Sequence, residues 1–196
     1  MTHFKTLLLL CISLIVCTGC SSKDVDPKID NQDEYFFKFK VDSNLVEYEY
    51  KSETQINLTG LLGYDVNSGQ YTLNIAGIDN IFETTFTNRL TIFIGNSSEL
   101  STGVTYSNIS EQGDETPDFI FLVGYYDIEG NLYSAGLNTI AELYKTTFVK
   151  LSQITETQIS GTFSGTLLQY DTNGGTLKLL DSVVISEGEF NVPIMN

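Results

Sequence analysis

From Tyr35 onward, apolar side chains recur at every second position. In YFFKFKV, Phe37, Phe39 and Val41 share one face and Lys38 and Lys40 take the other. LVEYEYK sets Val46, Tyr48 and Tyr50 against Glu47, Glu49 and Lys51. QYTLNIAG aligns Tyr71, Leu73 and Ile75, and RLTIFIG aligns Leu90, Ile92 and Ile94. DFIFLVGYY, LYKTTFVKL, QISGTFSGTLLQY and DSVVISEGEFNV continue the pattern. Side chains that alternate across a pleat put this apolar set on one side of a strand, whereas a helix needs a period of 3.6. No stretch keeps the helical period with caps; NTIAELYK, around Ala141, comes nearest to a short helical turn. The breaks between runs hold Gly, Asn, Asp and Ser. Strands at such intervals predict an all-β fold, an antiparallel β-sandwich with a β-barrel as the alternative. No linker-like stretch divides residues 35–196, which read as one β-rich domain.

An internal echo lies on this pattern. ETQI occurs at 53–56 and at 156–159, and LLGYDVNSG (61–69) resembles LLQYDTNGG (167–175), with YYDIEGN (125–131) as a looser third version. Asp-x-Asn-x-Gly resembles the opening of an EF-hand loop, which also needs a bidentate Glu at its twelfth position. Counting from Asp65, Asp127 and Asp171, that position holds Ala76, Asn138 and Ser182. The calcium-loop reading therefore fails. Turn chemistry remains: Asp accepts backbone hydrogen bonds at the turn entrance, and Asn and Gly tolerate positive φ.

The first thirty-four residues follow different rules. Lys5 and the amino terminus precede an apolar run over 7–16, then the small residues Thr18 and Gly19. The run is too short for a hydrocarbon core, which needs about 20 apolar residues. Charged, apolar, then small is the order of a secretory signal. Cys20 follows directly, and the segment resembles the lipobox of bacterial lipoproteins. In that family the chain is cut between the equivalents of Gly19 and Cys20, and the cysteine thiolate, a strong nucleophile, takes a diacylglycerol group. The family usually places Leu, Val or Ala where this chain has Cys17. The resemblance implies a signal peptide at 1–19 and an anchor at Cys20, with enough acyl chains for stable membrane attachment. Residues 20–34 have no hydrophobic period, carry Pro27 and several acids, and read as a flexible acidic tether. Lys23, Asp24 and Asp26 resemble the export signal of Bacteroidota lipoproteins, which implies display on the outer face of the outer membrane.

Composition then closes off chemistry. All three cysteines (Cys11, Cys17, Cys20) and the single histidine, His3, lie in the first twenty positions, and there is no tryptophan. A chain cut before Cys20 cannot form an internal disulfide, a Cys–His zinc site, or a Ser-His-Asp or Cys-His catalytic set. The formal net charge is −15, one unit more negative once Lys5 leaves. That sign opposes nucleic-acid binding and suits solubility, cationic partners or calcium. EQGDETPDF gathers Glu111, Asp114, Glu115 and Asp118 in one polar loop with Pro117. It reads as solvated, with no catalytic residue assigned, and Asp114, Glu115 and Asp118 come nearest to a calcium set. The twelve phenylalanines and eleven tyrosines read first as core, and as a ligand platform second. DSV at 181–183 resembles the short O-glycosylation site of Bacteroidota exported proteins.

The C-terminal part carries a broader resemblance. ISGTF at 159–163, VIS at 184–186 and GEFNV at 188–192, together with FKVD at 39–42 and VTYS at 104–107, resemble an uncharacterised β-rich lipoprotein domain family of the Bacteroidota. These are strand-and-turn signatures and imply no activity. The expectation is a non-enzymatic, lipid-anchored cell-surface lipoprotein that meets the membrane through its anchor and an extracellular or envelope ligand through its β domain. A periplasm-facing outer-membrane lipoprotein of structural or assembly type is the alternative, and a carboxylate-only glycoside-active enzyme a remote one. A binding module should present a concave, aromatic-lined patch, and an assembly protein a flat apolar one.

Overall fold

Among the described residues the alternation becomes eleven strands of one antiparallel sheet. They are β1 (Phe36–Val41), β2 (Asn44–Glu49), β3 (Leu58–Asp65), β4 (Gln70–Ile78), β5 (Arg89–Asn96), β6 (Thr105–Ser107), β7 (Phe119–Tyr126), β8 (Leu132–Gly136), β9 (Thr147–Ile154), β10 (Gln158–Asp171) and β11 (Lys178–Pro193). The computed structural model describes residues 35–108, 119–136, 146–171 and 177–195. Outside them lie the signal segment with Gly19 and Cys20, the residues Lys23, Asp24 and Asp26, the acids Glu111, Asp114, Glu115 and Asp118, and the helical candidate around Ala141. Among the described residues there is no helix.

Of the two arrangements expected, sandwich and barrel, the strands form a single sheet that nearly closes on itself. The order is β2-β1-β11-β10-β8-β7-β5-β4-β3, with β9 on β10 and β6 on β9. The physical reason lies in β10 and β11, of 14 and 16 residues. Residues 159–165 of β10 pair with β9, while Leu168 pairs with Ser134 of β8. One strand thus serves two walls and turns between them just past the register shift after Phe163. Bulges and glycines are how a sheet turns such corners.

The inward positions match the alternation. Phe37 and Phe39 of β1, Leu73 and Ile75 of β4, and Leu90, Ile92 and Ile94 of β5 are fully buried. Phe37 sits at the centre of an aromatic cluster, its ring centroid 6.0 Å from Phe39, Tyr48 and Phe190 and 5.4 Å from Phe163. The outward lysines of β1 pair across to β11, Lys38 with Glu189 at 3.0 Å and Lys40 with Glu187 at 2.7 Å. Such exposed pairs add little to stability.

The Asp-x-Asn-x-Gly stretches form turns where the structure describes them. Asp65 Oδ1 accepts from the Asn67 amide at 2.9 Å, its Oδ2 accepts from the Ser68 hydroxyl at 2.7 Å, and Gly69 takes φ +69°. Asp127 Oδ1 accepts from the amides of Glu129 and Asn131 at 2.9 and 2.8 Å, and Gly130 takes φ +84°. The β1–β2 hairpin turns on Asp42 and Ser43, with Val41 paired to Asn44 and φ values of +47° and +74°. Both signs belong to a type I′ turn, where the second position favours glycine. Asp42 also ties the turn to β11, its Oδ1 accepting from the Val184 amide at 2.9 Å. Ser43 makes no comparable bond among the described residues and is exposed. Ser43→Gly removes left-handed strain and is expected to stabilise the protein by about 0.5–1 kcal/mol, read as a rise in the thermal midpoint.

Two buried phenols give the sheet a pH limit. Tyr48 is 2% exposed, and its hydroxyl has no hydrogen-bond partner among the described residues. Burial pushes its phenol far above the ordinary range, with Tyr125 and Asp79 adding to the rise. Tyr125 is raised by burial and then by Asp127. A raised phenol favours the native state while it stays protonated. This contribution is complete below the ordinary tyrosine value of about 10 and is lost as pH rises beyond it toward the raised native value. Above that pH, tyrosinate absorbance at 295 nm and loss of the β-sheet circular dichroism should rise together. A smooth titration with the fold intact would contradict this.

Candidate functional site

The sheet closes at one point and stays open beside it. At the start of β3 the Asn57 side chain bridges to the end of β2, its Nδ2 donating to the Glu49 carbonyl at 2.6 Å and its Oδ1 accepting from the Lys51 amide at 2.9 Å. Gly60 then forms a parallel bridge to Ile194, and the Met195 amide donates to its carbonyl at 2.9 Å. Beyond Gly60, the outer edge of β3 has no strand partner among the described residues.

Hydrogen-bond alternation fixes which backbone groups face that open edge. The Ile78 amide donates to the Asn57 carbonyl at 2.9 Å, in register with the β3–β4 ladder. In an antiparallel pair every second residue bonds to the partner and the others face away. Asn57, Thr59, Leu61, Gly63 and Asp65 therefore turn their backbone groups to β4. Leu58, Gly60, Leu62 and Tyr64 turn theirs outward, as the Met195–Gly60 bond requires. The N–H and C=O groups of Leu62 and Tyr64 thus line the open edge.

Their side chains belong to the inward face, but among the described residues no strand covers them there. Leu73, directly across from Leu62, is fully buried, yet Leu62 is 43% exposed and Tyr64 is 54% exposed. They form one wall of a cleft of about 460 Å³, with Tyr71 beside Tyr64 at a ring distance of 4.9 Å. The opposite wall is Glu99, Leu100, Ser101 and Thr102, between β5 and β6, and Ile154 at the end of β9. This wall is pinned: the Ser101 amide donates to the Tyr106 hydroxyl at 3.3 Å, and the Gly103 amide to the Leu151 carbonyl at 2.9 Å. Glu99 is the one charged residue among the described residues that line the cleft. The Asp65 turn braces the rim. Hydrogen bonds from Ser68, then Asn67, hold the Asp65 carboxyl below the usual carboxylate range, so the brace is present at neutral pH and fades as pH falls through that lowered range.

In sequence, LLGYD reads only as the lead into a turn. The signal available was the lack of any charge from Leu58 to Tyr64, whereas β2, at the other end of the strand order, carries Glu47 and Glu49. Unguarded edges are rare because they invite pairing.

The other sequence-derived positions do not converge on the cleft. In DSV, Ser182 is exposed on β11 and Val183 is buried. The Asp181 carboxylate is engaged within the fold, accepting from its neighbour's amide at 2.8 Å and from the Tyr133 hydroxyl at 3.2 Å. Among the described residues no Asp or Glu is buried, and no group of three or more His, Cys, Asp or Glu residues is placed to hold a metal ion. No protein-family model, curated protein or solved structure matches the chain.

Proposed function

We propose that the protein is a lipid-anchored outer-membrane lipoprotein facing the cell exterior, whose β domain binds a ligand without transforming it. The cleft beside β3 carries the binding part of this reading. It is concave, aromatic on one wall and fixed on the other, as ligand sites are, whereas an assembly surface would be flat. The anchoring part rests on sequence: an apolar run, Thr18-Gly19, then Cys20. The outward orientation rests on Lys23, Asp24 and Asp26 after the acylated cysteine.

Protease shaving of intact cells tests the topology, with Cys20→Ala as the anchor control. The wild-type domain should be digested while periplasmic proteins survive, and Cys20→Ala should leave the membrane fraction. Protection until the outer membrane is broken would instead place the domain in the periplasm, where the alternative role in envelope assembly applies. Unchanged membrane attachment of Cys20→Ala would overturn the anchor. Leu62→Lys and Tyr71→Ala test the cleft: the reading requires that both lose ligand while remaining folded.

A further inference from the structure

Resting on that reading of the cleft as a binding site, we propose that it takes an extended, basic peptide segment of another protein, added as a further strand on the open edge of β3. Three observations converge on this occupant. The backbone donors and acceptors of Leu62 and Tyr64 face the open edge, offering an extended chain a ladder to continue. The cleft lies against the same residues, so alternate side chains of an added strand would enter between Tyr64 and Tyr71 on one wall and Leu100 and Ile154 on the other. Glu99 supplies the charge term: it lines the cleft and, among the described residues, makes no ion pair and shares the cleft lining with no cation.

Charge also decides between occupants. The chain's own segment at 21–34 contains Asp24, Asp26, Asp30, Asp33 and Glu34 against Lys23 and Lys28, and its net negative charge opposes Glu99. A second copy brings another formal charge of −15 to the interface. A basic strand meets neither cost. The edge also limits register, because the Gly60 carbonyl is already held by Met195. The added strand starts beyond that point and runs along residues 61–65.

The experiment is selection of random heptapeptides from a displayed library on the full chain in detergent, with counter-selection on Leu62→Pro. The Leu62 amide faces the open edge, so proline there removes an edge donor and spares the bonds to β4. Enriched peptides should alternate apolar residues and carry Lys or Arg. Their binding should fall roughly two- to fivefold in Glu99→Gln and lose salt dependence. The chosen peptide is then synthesised with alternate backbone amides N-methylated. Methylating one alternating set should abolish binding, and methylating the other should leave it intact. This comparison needs no folded variant.

Equal tolerance of both methylated sets would overturn strand addition, as would unprotected Leu62 and Tyr64 amides in hydrogen exchange of the complex. If such a peptide still displaced solvent from Tyr64 and Tyr71, the cleft would remain a binding site and only its mode would be wrong. Absence of any enriched peptide would overturn the peptide ligand class. A dimer in sedimentation that dissociates in Leu62→Pro would replace the peptide by a second copy.

Discussion

Phe37→Ala is expected to cost about 3–5 kcal/mol, the range for emptying a fully buried aromatic position. Phe37 is 0% exposed and packs against Phe39, Tyr48, Phe163 and Phe190. These neighbours come from β1, β2, β10 and β11. A cavity there loosens the β1–β2 hairpin and the two longest strands together, and the strands are tied by backbone ladders that prevent collapse into the gap. Domains hold only about 5–15 kcal/mol in total, so the loss removes a large share. In urea, where slopes run about 1–3 kcal/mol per molar, the midpoint should fall by roughly 2 M. Phe37→Leu keeps most of the volume and should cost less than about 2 kcal/mol. A loss below about 1 kcal/mol for Phe37→Ala would mean the cluster is not the centre of the fold.

Gly165→Ala should be nearly as damaging through an opposite mechanism. Gly165 sits at the register shift where β10 turns between its two walls, with φ +148°. A β-carbon there would lie 2.4 Å from the Thr147 Cα and 2.5 Å from the Thr146 carbonyl oxygen. Both are backbone atoms held in the β9–β10 pairing, so no side chain can move aside. Backbone strain and overpacking each contribute about 1–3 kcal/mol, and a total of roughly 3–5 kcal/mol is expected in the same urea experiment. Gly63→Ala is the control: its β-carbon would meet only the Thr72 hydroxyl at 3.7 Å, an ordinary contact. Its cost should stay within about 1 kcal/mol. Equal losses at the two glycines would remove close approach as the cause.

These two positions mark what sequence could and could not disclose. Phe37 was legible because Phe37, Phe39 and Val41 alternate with Lys38 and Lys40, and the same local rule found Leu90, Ile92 and Ile94. The turns at Asp65 and Asp127 were legible for the same reason, since an aspartate's bonds to amides two to four residues on are local. Gly165 reads as one more glycine in a strand, because its neighbour Thr147 is brought there by pairing and not by sequence proximity. The choice between sandwich and barrel depends on how Ser160–Gly161 and Phe163–Gly165 shift register against β9 and β11, which no periodicity encodes. The cleft was hidden by the same limit. Alternation in QYTLNIAG aligns Tyr71 with Leu73, but it is the β3–β4 pairing that sets Leu62 and Tyr64 on the same face, and only the arrangement of distant strands leaves these two exposed.

The placement of β11 makes closure of the sheet a long-range event. β11 lies between β1 and β10, so the first described strand pairs with the eleventh. Until Lys178–Pro193 is available, β1 and β10 each keep an empty edge and Phe190 is missing from the aromatic cluster. A partly synthesised chain can form its hairpins but cannot complete its core. Long-range pairing of this kind makes folding slow, and it also delays the point of no return. The sheet closes between β1 and β10 only when β11 pairs with both, and that one strand then joins the two ends of the described fold.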